Sequence, residues 1–234
     1  MAETMRVYIS HTAVCTGWDM DAIFKGTCFR KAARTNAVLN KGPAESDVKM
    51  LDWDFRGWEL NPKKIEADHL QNVKEYKFEV VMSMDLFEYN IDECLAYTKE
   101  LKKYCKRVLI PVHYFCEELQ WEQLAYPNAN WFTKNKYPPA KYRRDFTHIL
   151  GGSPQSQLKL IQTKQKDLTG KSMKFPNIES IDGNQIFNVA IKGGKYWSPT
   201  KPYWRKPRRE MSNEAIFKLS VKNLNKAVES LFLN

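Results

Sequence analysis

The stretch DFTHILGGSPQSQLKLI, from Asp145 to Ile161, contains a short apolar strand, a pair of glycines and a Ser-Pro sequence of the kind that begins a helix. Gly151 and Gly152 have no side chains, so the backbone at this strand end can come close to a small planar or anionic ligand. The stretch therefore predicts a strand–turn–helix unit whose turn forms part of a binding site.

The same succession of strand and helix recurs along the chain. Strand patterns occur at 5–10, 48–55, 78–85, 107–115, 129–135, 147–152 and 178–183, and helical periods at 18–35, 61–76, 91–105, 153–166 and 212–232. This alternation predicts an α/β fold with βα units around a parallel sheet. A full eight-stranded barrel usually takes about 250 residues, and the chain has 234. We therefore expect a compact or incomplete TIM-like (β/α) barrel as a single domain over residues 1–234, with a doubly wound open sheet as the alternative.

The composition predicts a cytoplasmic protein that makes no contact with a membrane. Hydrophobic residues make up 43% of the chain, the N-terminal MAETMRVYIS lacks the apolar region of a signal peptide, and no apolar run approaches the ~18 residues of a membrane span. The five cysteines are odd in number and include no C-x2-C pair. This usage indicates reduced thiols that pack in the core and predicts no zinc site.

The net charge of +10 favours a polyanionic partner, because a basic surface attracts phosphates and releases counterions on binding. The basic aromatic segment, KYWSPTKPYWRKPRR at 195–209, has six basic residues, four aromatic residues and three prolines. Such a mixture is typical of surfaces that bind phosphates and unstacked bases. The alternative is a loop that packs its own rings. The residues predicted to contact nucleic acid are Lys195, Tyr196, Trp197, Lys201, Trp204, Arg205, Lys206, Arg208 and Arg209.

Several polar residues come at the ends of the predicted strands, where parallel α/β folds bind their ligands. Taken singly, an Asp after a strand is more often a helix cap or a turn residue. His148 lies within its strand and is expected to brace the barrel. Asp52 and Asp54 are two residues apart and are expected to face the same way. The strand-end residues are His11, Asp52, Asp54, Asp85, His113, Gly151, Gly152 and Asp182.

Together these acids predict a carboxylate-lined pocket. Carboxylates about 5–10 Å apart suit chemistry at an anomeric carbon, where one attacks the carbon and another transfers a proton. Asp182 is the weakest candidate for a helix cap, because GNQIFNVAIKGG (183–194) does not open a clear helix.

Four segments, taken in order, resemble the tRNA-guanine transglycosylases. MLDWDF (50–55) corresponds to their general-base segment, and EVVMSMDLFEYNIDECLAYTKEL (79–101) to the strand whose terminal Asp binds the base. THILGG (147–152) is similar to their Gly-Gly strand end, and SIDGNQIFNVAIKGGKYW (180–197) to the segment that carries the nucleophilic Asp.

The chain is more similar still to the short 7-deazaguanine DNA transglycosylases of phages, archaeal viruses and bacterial modification clusters. Their motifs have counterparts at Ser10–His11, His148–Gly152, Asp182 with Asn184, and Gly194 with Tyr196. The tRNA enzymes follow the general base with Ser-Gly-Gly-Phe-Gln, whereas Asp52 is followed by Trp-Asp-Phe-Arg, and their C-terminal zinc cluster has no counterpart here. The missing cluster favours DNA over tRNA as the substrate.

The resemblance implies an enzyme, encoded by a virus and acting in the host cytoplasm, that exchanges guanine in DNA for a 7-deazaguanine base such as preQ0 or preQ1 without a cofactor. Asp182 would be the nucleophile, and either Asp52 or Asp54 the general base. The base would be bound by Asp85, His113, Gly151, Gly152, Ser10 and His11. The alternatives are hydrolysis of an N-glycosidic bond of a nucleoside or base, RNA modification of the tRNA-guanine transglycosylase type, and a non-catalytic nucleic-acid-binding module.

Overall fold

Eight parallel strands form a closed barrel in the computed structural model, which describes residues 5–10, 17–35, 48–128, 138–162, 165–166, 172–173 and 176–231. Each strand pairs with its neighbours along the chain, and the last pairs with the first, so that Tyr8 lies opposite Asp182. The strands are β1 (Arg6–Ser10), β2 (Phe29–Arg34), β3 (Met50–Asp52), β4 (Val80–Met82), β5 (Val108–Pro111), β6 (Leu124–Pro127), β7 (Phe146–Leu150) and β8 (Ser180–Asp182). The barrel prediction is confirmed, and the barrel is complete; the open sheet is excluded.

Seven α-helices lie among the described residues, and several of them begin at a residue whose side chain caps the first turn. Asp19, Asn61 and Ser212 each accept a hydrogen bond from a backbone N–H of the first turn. The connection from β5 to β6 uses a short 3-10 helix, Glu117–Trp121, which saves chain length. The α-helices are α1 (Met20–Phe24), α2 (Phe55–Leu60), α3 (Pro62–Glu75), α4 (Ile91–Leu101), α5 (Pro154–Gln162), α6 (Gln185–Gly193) and α7 (Asn213–Glu229).

Three sequence predictions of secondary structure need correction or comment. The region 18–35, predicted as one helix, contains α1, a turn at Gly26 with φ +73°, and β2. Residues 183–194 do contain a helix, α6, and its C-cap residue Gly194 adopts the left-handed conformation. The strand predicted at 129–135 lies outside the described residues, and β6 ends before it at Pro127.

Two apolar layers follow from the alternation of side chains along the strands. In β4, Val80 and Met82 belong to the main core cluster, whereas Val81 belongs to a second cluster. That second cluster joins the strands to α3 and α4 through Val73 and Leu101. The strands are therefore buried on both faces, as expected for a parallel barrel.

The C-terminal helix closes the structure near the start of the chain. The Asn225 side chain on α7 accepts a hydrogen bond of 2.8 Å from the Cys28 N–H, directly before β2. Phe217 of α7 is fully buried and packs its ring against Trp18, Phe24 and Phe187.

The cysteines that the structure describes, Cys28, Cys94, Cys105 and Cys116, are free thiols, as predicted. Among the residues that the structure describes, no helix has the length and apolar character needed to cross a membrane.

Candidate active site

The polar strand ends meet at one cavity of about 810 Å³ at the C-terminal end of the barrel. Ser10 ends β1, but its side chain and all of His11 lie outside the described residues, so the structure leaves these two predictions untested. The predicted residues that line the cavity are Asp52, Asp54, Asp85, His113, Gly151, Gly152 and Asp182. The convergence of acids from β3, β4 and β8 agrees with the prediction of a carboxylate-lined pocket.

Asp182 is held at the cavity wall by the glycine turn. Its Oδ1 atom accepts a 2.6 Å hydrogen bond from the Gly151 N–H, and its side chain remains 9% exposed. Gln157 of α5 donates to the backbone carbonyls of both Gly151 and Asp182 and so ties the turn to the strand end. The carboxylate is therefore fixed in position and still reaches the cavity.

The glycine turn differs from its predicted role of offering free amides to a base. The Gly151 amide already donates to Asp182, so this glycine orients the acid. Gly151 and Gly152 have φ of +68° and +88°, a region that side chains disfavour. A Cβ at Gly152 would lie 2.5 Å from Nδ2 of Asn128, so the loop after β6 approaches closely only because a glycine stands there.

His148 does more than brace the barrel. It is fully buried, and its Nε2 atom lies 3.4 Å from Oδ1 of Asp182. Its Nδ1 atom lies 2.9 Å from the Ser180 hydroxyl, which in turn accepts a hydrogen bond from Arg107. Arg107 forms an ion pair with Glu179 at 2.9 Å, before the start of β8. A chain of polar groups thus runs from the cavity through the barrel to its opposite end, and its contact with Asp182 could not be read from the sequence.

Asp52 and Asp54, which the sequence left as equivalent candidates, occupy different environments. Asp54 caps α2, because its Oδ1 atom accepts from the Gly57 N–H at 3.3 Å. The side chain of Asp52 is 16% exposed and lies 3.9 Å from the Arg34 guanidinium. Burial, and then the negative charge of Asp182, raises the pKa of Asp52 to about 8. This raised pKa favours the protonated form of Asp52 at neutral pH, and in that form Asp52 can donate a proton.

Asp85 and His113 form a hydrogen-bonded pair on the same cavity wall. The distance between His113 Nε2 and Asp85 Oδ1 is 2.8 Å. Burial raises the pKa of Asp85, and the hydrogen bond from His113 opposes this shift. Asn90 donates to the Asp85 carbonyl at 2.9 Å, so the backbone beneath the carboxyl is also held.

The basic aromatic segment forms a small hairpin in which Tyr196–Trp197 pairs with Trp204–Arg205. Trp197 is 1% exposed and donates from its indole N–H to Gln155, which lines the cavity. The prediction that Trp197 contacts nucleic acid is therefore wrong, because the ring belongs to the core.

The other predicted contacts of this segment stay closer to the surface. Arg205 donates to the carbonyls of Thr200, Lys201 and Pro202 and so stabilises its own loop. Lys195, Tyr196 and Trp204 are half-buried. The side chains of Lys201, Lys206, Arg208 and Arg209 are exposed and are available to an anionic partner.

The described residues contain no group of three or more His, Cys, Asp or Glu side chains arranged to hold a metal ion. The cavity residues that could contact an organic ligand include its carboxyls, His113 and the amide side chains of Asn128, Asn184 and Asn188.

The sequence was also compared with known protein families, curated proteins and solved structures. Residues 27–229 match the model of a family of unknown function (DUF6610). No curated protein matches the sequence. A similar solved structure is that of a protein from Coccidioides immitis described as a fructose-1,6-biphosphate aldolase, with 12% identity, a TM-score of 0.45, and coverage of 98% of this chain and 88% of that chain.

Proposed function

The chain belongs to the family of unknown function DUF6610, and from its cavity we propose that it exchanges guanine in DNA for a 7-deazaguanine base such as preQ0 or preQ1. The observation that carries this proposal is the pairing of two unlike carboxyls in one cavity. Asp182 has its carboxylate oriented by the Gly151 N–H, and Asp52 has a pKa raised to about 8. A nucleophile beside a proton donor is what displacement at a glycosidic carbon requires.

In the first step, Asp182 bonds to C1′ of the target deoxyguanosine and the bond from C1′ to N9 breaks. The electron pair of that bond leaves with guanine, and the proton of Asp52 neutralises the departing base. The products are a glycosyl ester on Asp182 and an ionised Asp52. Because the negative charge on Asp182 is lost as the ester forms, ionisation of Asp52 becomes easier in the intermediate.

In the second step, the incoming base transfers its N9 proton to Asp52. Its N9 atom then attacks C1′ and the bond from C1′ to Asp182 breaks. Asp52 is protonated again and Asp182 is a free carboxylate, so the site returns to its starting state. The exchange therefore needs no external acid, base or redox group.

In this proposal Asp85 and His113 recognise the base. Guanine presents N–H donors along one edge, and a carboxylate is an acceptor for them. The His113 ring nitrogen fixes one oxygen of Asp85 at 2.8 Å, which orients the carboxyl. Because preQ0 and preQ1 keep the donor edge of guanine and differ at position 7, the same pair would bind the leaving and the incoming base.

The size and charge of the molecule support a nucleic acid substrate. A cavity of about 810 Å³ lies within the usual range for ligand sites and exceeds what one base needs. A target nucleotide must leave the base stack to enter it, at a cost of a few kcal/mol. The net charge of +10 and the exposed cations Lys206, Arg208 and Arg209 favour phosphate contacts that offset this cost.

The proposal is tested by incubating the protein with DNA and radiolabelled preQ0 or guanine, with tRNA as a parallel substrate. We expect label in DNA, and a DNA–protein adduct that survives denaturant. Asp182→Asn should abolish both, because the amide keeps the hydrogen bond from Gly151 but is a poor nucleophile.

The products of this incubation also distinguish base exchange from hydrolysis and from RNA modification. An abasic site without label indicates hydrolysis, and label in tRNA alone indicates RNA modification. If Asp182→Asn incorporates labelled base at the wild-type rate, Asp182 is not the nucleophile and the proposal fails.

A further inference from the structure

Three aromatic rings lie parallel beside the cavity. The Phe87 ring stacks on the imidazole of His113, with centroids 4.5 Å apart and planes inclined by 6°. Phe87 also stacks on Tyr89, with centroids 5.2 Å apart and planes inclined by 5°. His113 lines the cavity, whereas Tyr89 is 71% exposed. The stack therefore connects the cavity wall with the surface of the protein.

The loop that carries these rings is held by buried hydrogen bonds. Asn90 is 4% exposed, and its side chain accepts from the Phe87 N–H at 2.8 Å and donates to the Asp85 carbonyl at 2.9 Å. The Leu86 N–H donates to Pro111, and the His113 N–H donates back to Leu86. An exposed ring on such a fixed loop loses little conformational freedom when a ligand binds.

The surroundings of Tyr89 favour a flat uncharged ligand over a phosphate. Partial burial, followed by the charges of Glu59 and Asp85, raises the pKa of Tyr89. These acids would repel a phosphate group, so we expect a ligand to contact this surface through the face of the Tyr89 ring. Nucleobases stack on aromatic side chains irrespective of sequence, since every base has a π face.

We propose that Tyr89 is a stacking platform for the unpaired base next to the target nucleotide, an inference that rests on the proposed function. When the target leaves the stack, the base beside it loses a stacking partner. Tyr89 supplies a replacement at the surface end of the ring stack that begins at His113 on the cavity wall. Its support by Phe87 and His113 keeps this surface parallel to the ring that contacts Asp85.

The test uses single-stranded oligodeoxynucleotides that carry the fluorescent base 2-aminopurine beside one guanine. Stacking reduces the fluorescence of this base, so titration gives both the affinity and the contact. Tyr89→Ala should weaken binding about tenfold to a hundredfold, the range of base–aromatic stacking, and abolish the fluorescence decrease. Tyr89→Phe keeps the ring face and should behave like the wild type.

Trp121→Ala is the matched control. Trp121 is also an exposed aromatic residue, at 85%, but it lies shortly before β6, at the opposite end of the barrel. This variant should bind like the wild type. Thermal melting should show that all three variants are folded, as expected for changes at exposed positions.

The outcomes for the platform and for the proposed function are separable. If Tyr89→Ala binds and quenches like the wild type, the platform is overturned, even where the wild type exchanges guanine. If binding depends on Tyr89 but the wild type incorporates no labelled base into DNA, the platform is supported and the proposed exchange reaction fails.

Discussion

The Nε2 atom of His148 lies 3.4 Å from the Oδ1 atom of Asp182, and within the described residues this buried nitrogen has no hydrogen-bond partner. The other ring nitrogen lies 2.9 Å from the Ser180 hydroxyl, whose oxygen accepts from Arg107. That hydroxyl can give its own hydrogen to Nδ1, which leaves the imidazole hydrogen on Nε2, facing Asp182. We therefore expect His148 to position the carboxylate during the reaction, because catalytic hydrogen bonds are often long before the substrate binds.

Replacement of His148 tests this relationship. His148→Leu removes the N–H and should lower kcat for base exchange about tenfold to a hundredfold, the equivalent of a hydrogen bond to a charged group at 1.5–3 kcal/mol. KM should change little, because His148 is not among the residues that line the cavity.

His148→Gln is the matched variant, because its side-chain amide can donate towards the same oxygen. We expect it to recover part of the lost kcat. Equal loss of kcat in both variants, accompanied by equal loss of thermal stability, would assign His148 a packing role only.

Asp52 makes the stability of the protein depend on pH. Its pKa in the folded state is about 8, whereas an Asp in an unfolded chain titrates near ~4. Between these values the folded protein holds a proton that the unfolded chain has lost. The free energy of unfolding should therefore fall as the pH rises from about 4 to about 8, with no further loss from this group above that range.

Asp52→Asn cannot ionise and should remove this dependence. Melting temperatures measured at about pH 5 and about pH 9 should show a larger gain for the variant at the higher pH. Parallel curves for the variant and the wild type would mean that Asp52 titrates normally in the folded protein.

Asp54 should affect stability rather than chemistry, because its carboxylate caps α2 through the Gly57 N–H. Asp54→Ala should lower the free energy of unfolding by about 1 kcal/mol, the usual cost of losing an N-cap. The exchange rate should stay within a few-fold of the wild type. Chemical denaturation and the labelled-base assay measure the two quantities.

Two variants complete that comparison. Asp54→Asn retains a capping oxygen and should be nearly as stable as the wild type, whereas Asp52→Asn should lose exchange. An inactive but stable Asp54→Asn, beside an active Asp52→Asn, would reverse the assignment.

The exposed cations of the basic aromatic segment should contribute to DNA affinity. The double change Arg208→Glu with Arg209→Glu should weaken binding and reduce the slope of log K against log salt by roughly two, if each arginine neutralises one phosphate. Arg205 is left unchanged, because its guanidinium holds the loop carbonyls. Binding is measured as a function of salt concentration.

Lys77→Glu with Lys106→Glu is the control for net charge. Both lysines are exposed and precede β4 and β5, at the end of the barrel away from the cavity. This variant should keep most of the affinity. An equal effect of the two double changes would show that total charge, rather than the segment, governs binding.

The strand ends could be predicted from the sequence because an apolar run indicates a buried strand, and the polar residue after it indicates where the strand leaves the core. Asp52, Asp85, His113 and Asp182 were placed at one rim for this reason, and all four line the cavity. The same reasoning could not distinguish Asp52 from Asp54, because the Gly57 N–H that binds Asp54 becomes available only when α2 forms.

Long-range contacts explain why the secondary structure of two elements, β2 and α6, was not predicted correctly from the sequence. β2 has the sequence FRKAAR, rich in residues that favour helices, but it pairs with β1 and β3 on its two sides. In α6, the early Asn and β-branched residues obscure a helix whose apolar face is buried through Ile186, Phe187 and Ala190. Local propensity is a weak guide where long-range contacts decide the conformation.

Contacts between residues that are distant in the sequence also could not be predicted. Trp197 was predicted to bind nucleic acid from its basic neighbours, but the pairing of Trp197 with Trp204 turns it into the core. His148 was predicted to brace the barrel, and its distance from Asp182 depends on how β7 and β8 align.

The pairing of β1 with β8 affects when the barrel can fold during synthesis on the ribosome. β1 ends at Ser10 but its partner β8 begins only at Ser180, and Asn225 must also emerge from the ribosome before it can bind Cys28. Until then the growing chain exposes unpaired strand edges, which can associate with other chains. Translation thus delays closure of the barrel until β8 has been synthesised, and a product truncated before β8 would carry the glycine turn and His148 without the carboxylate that they contact.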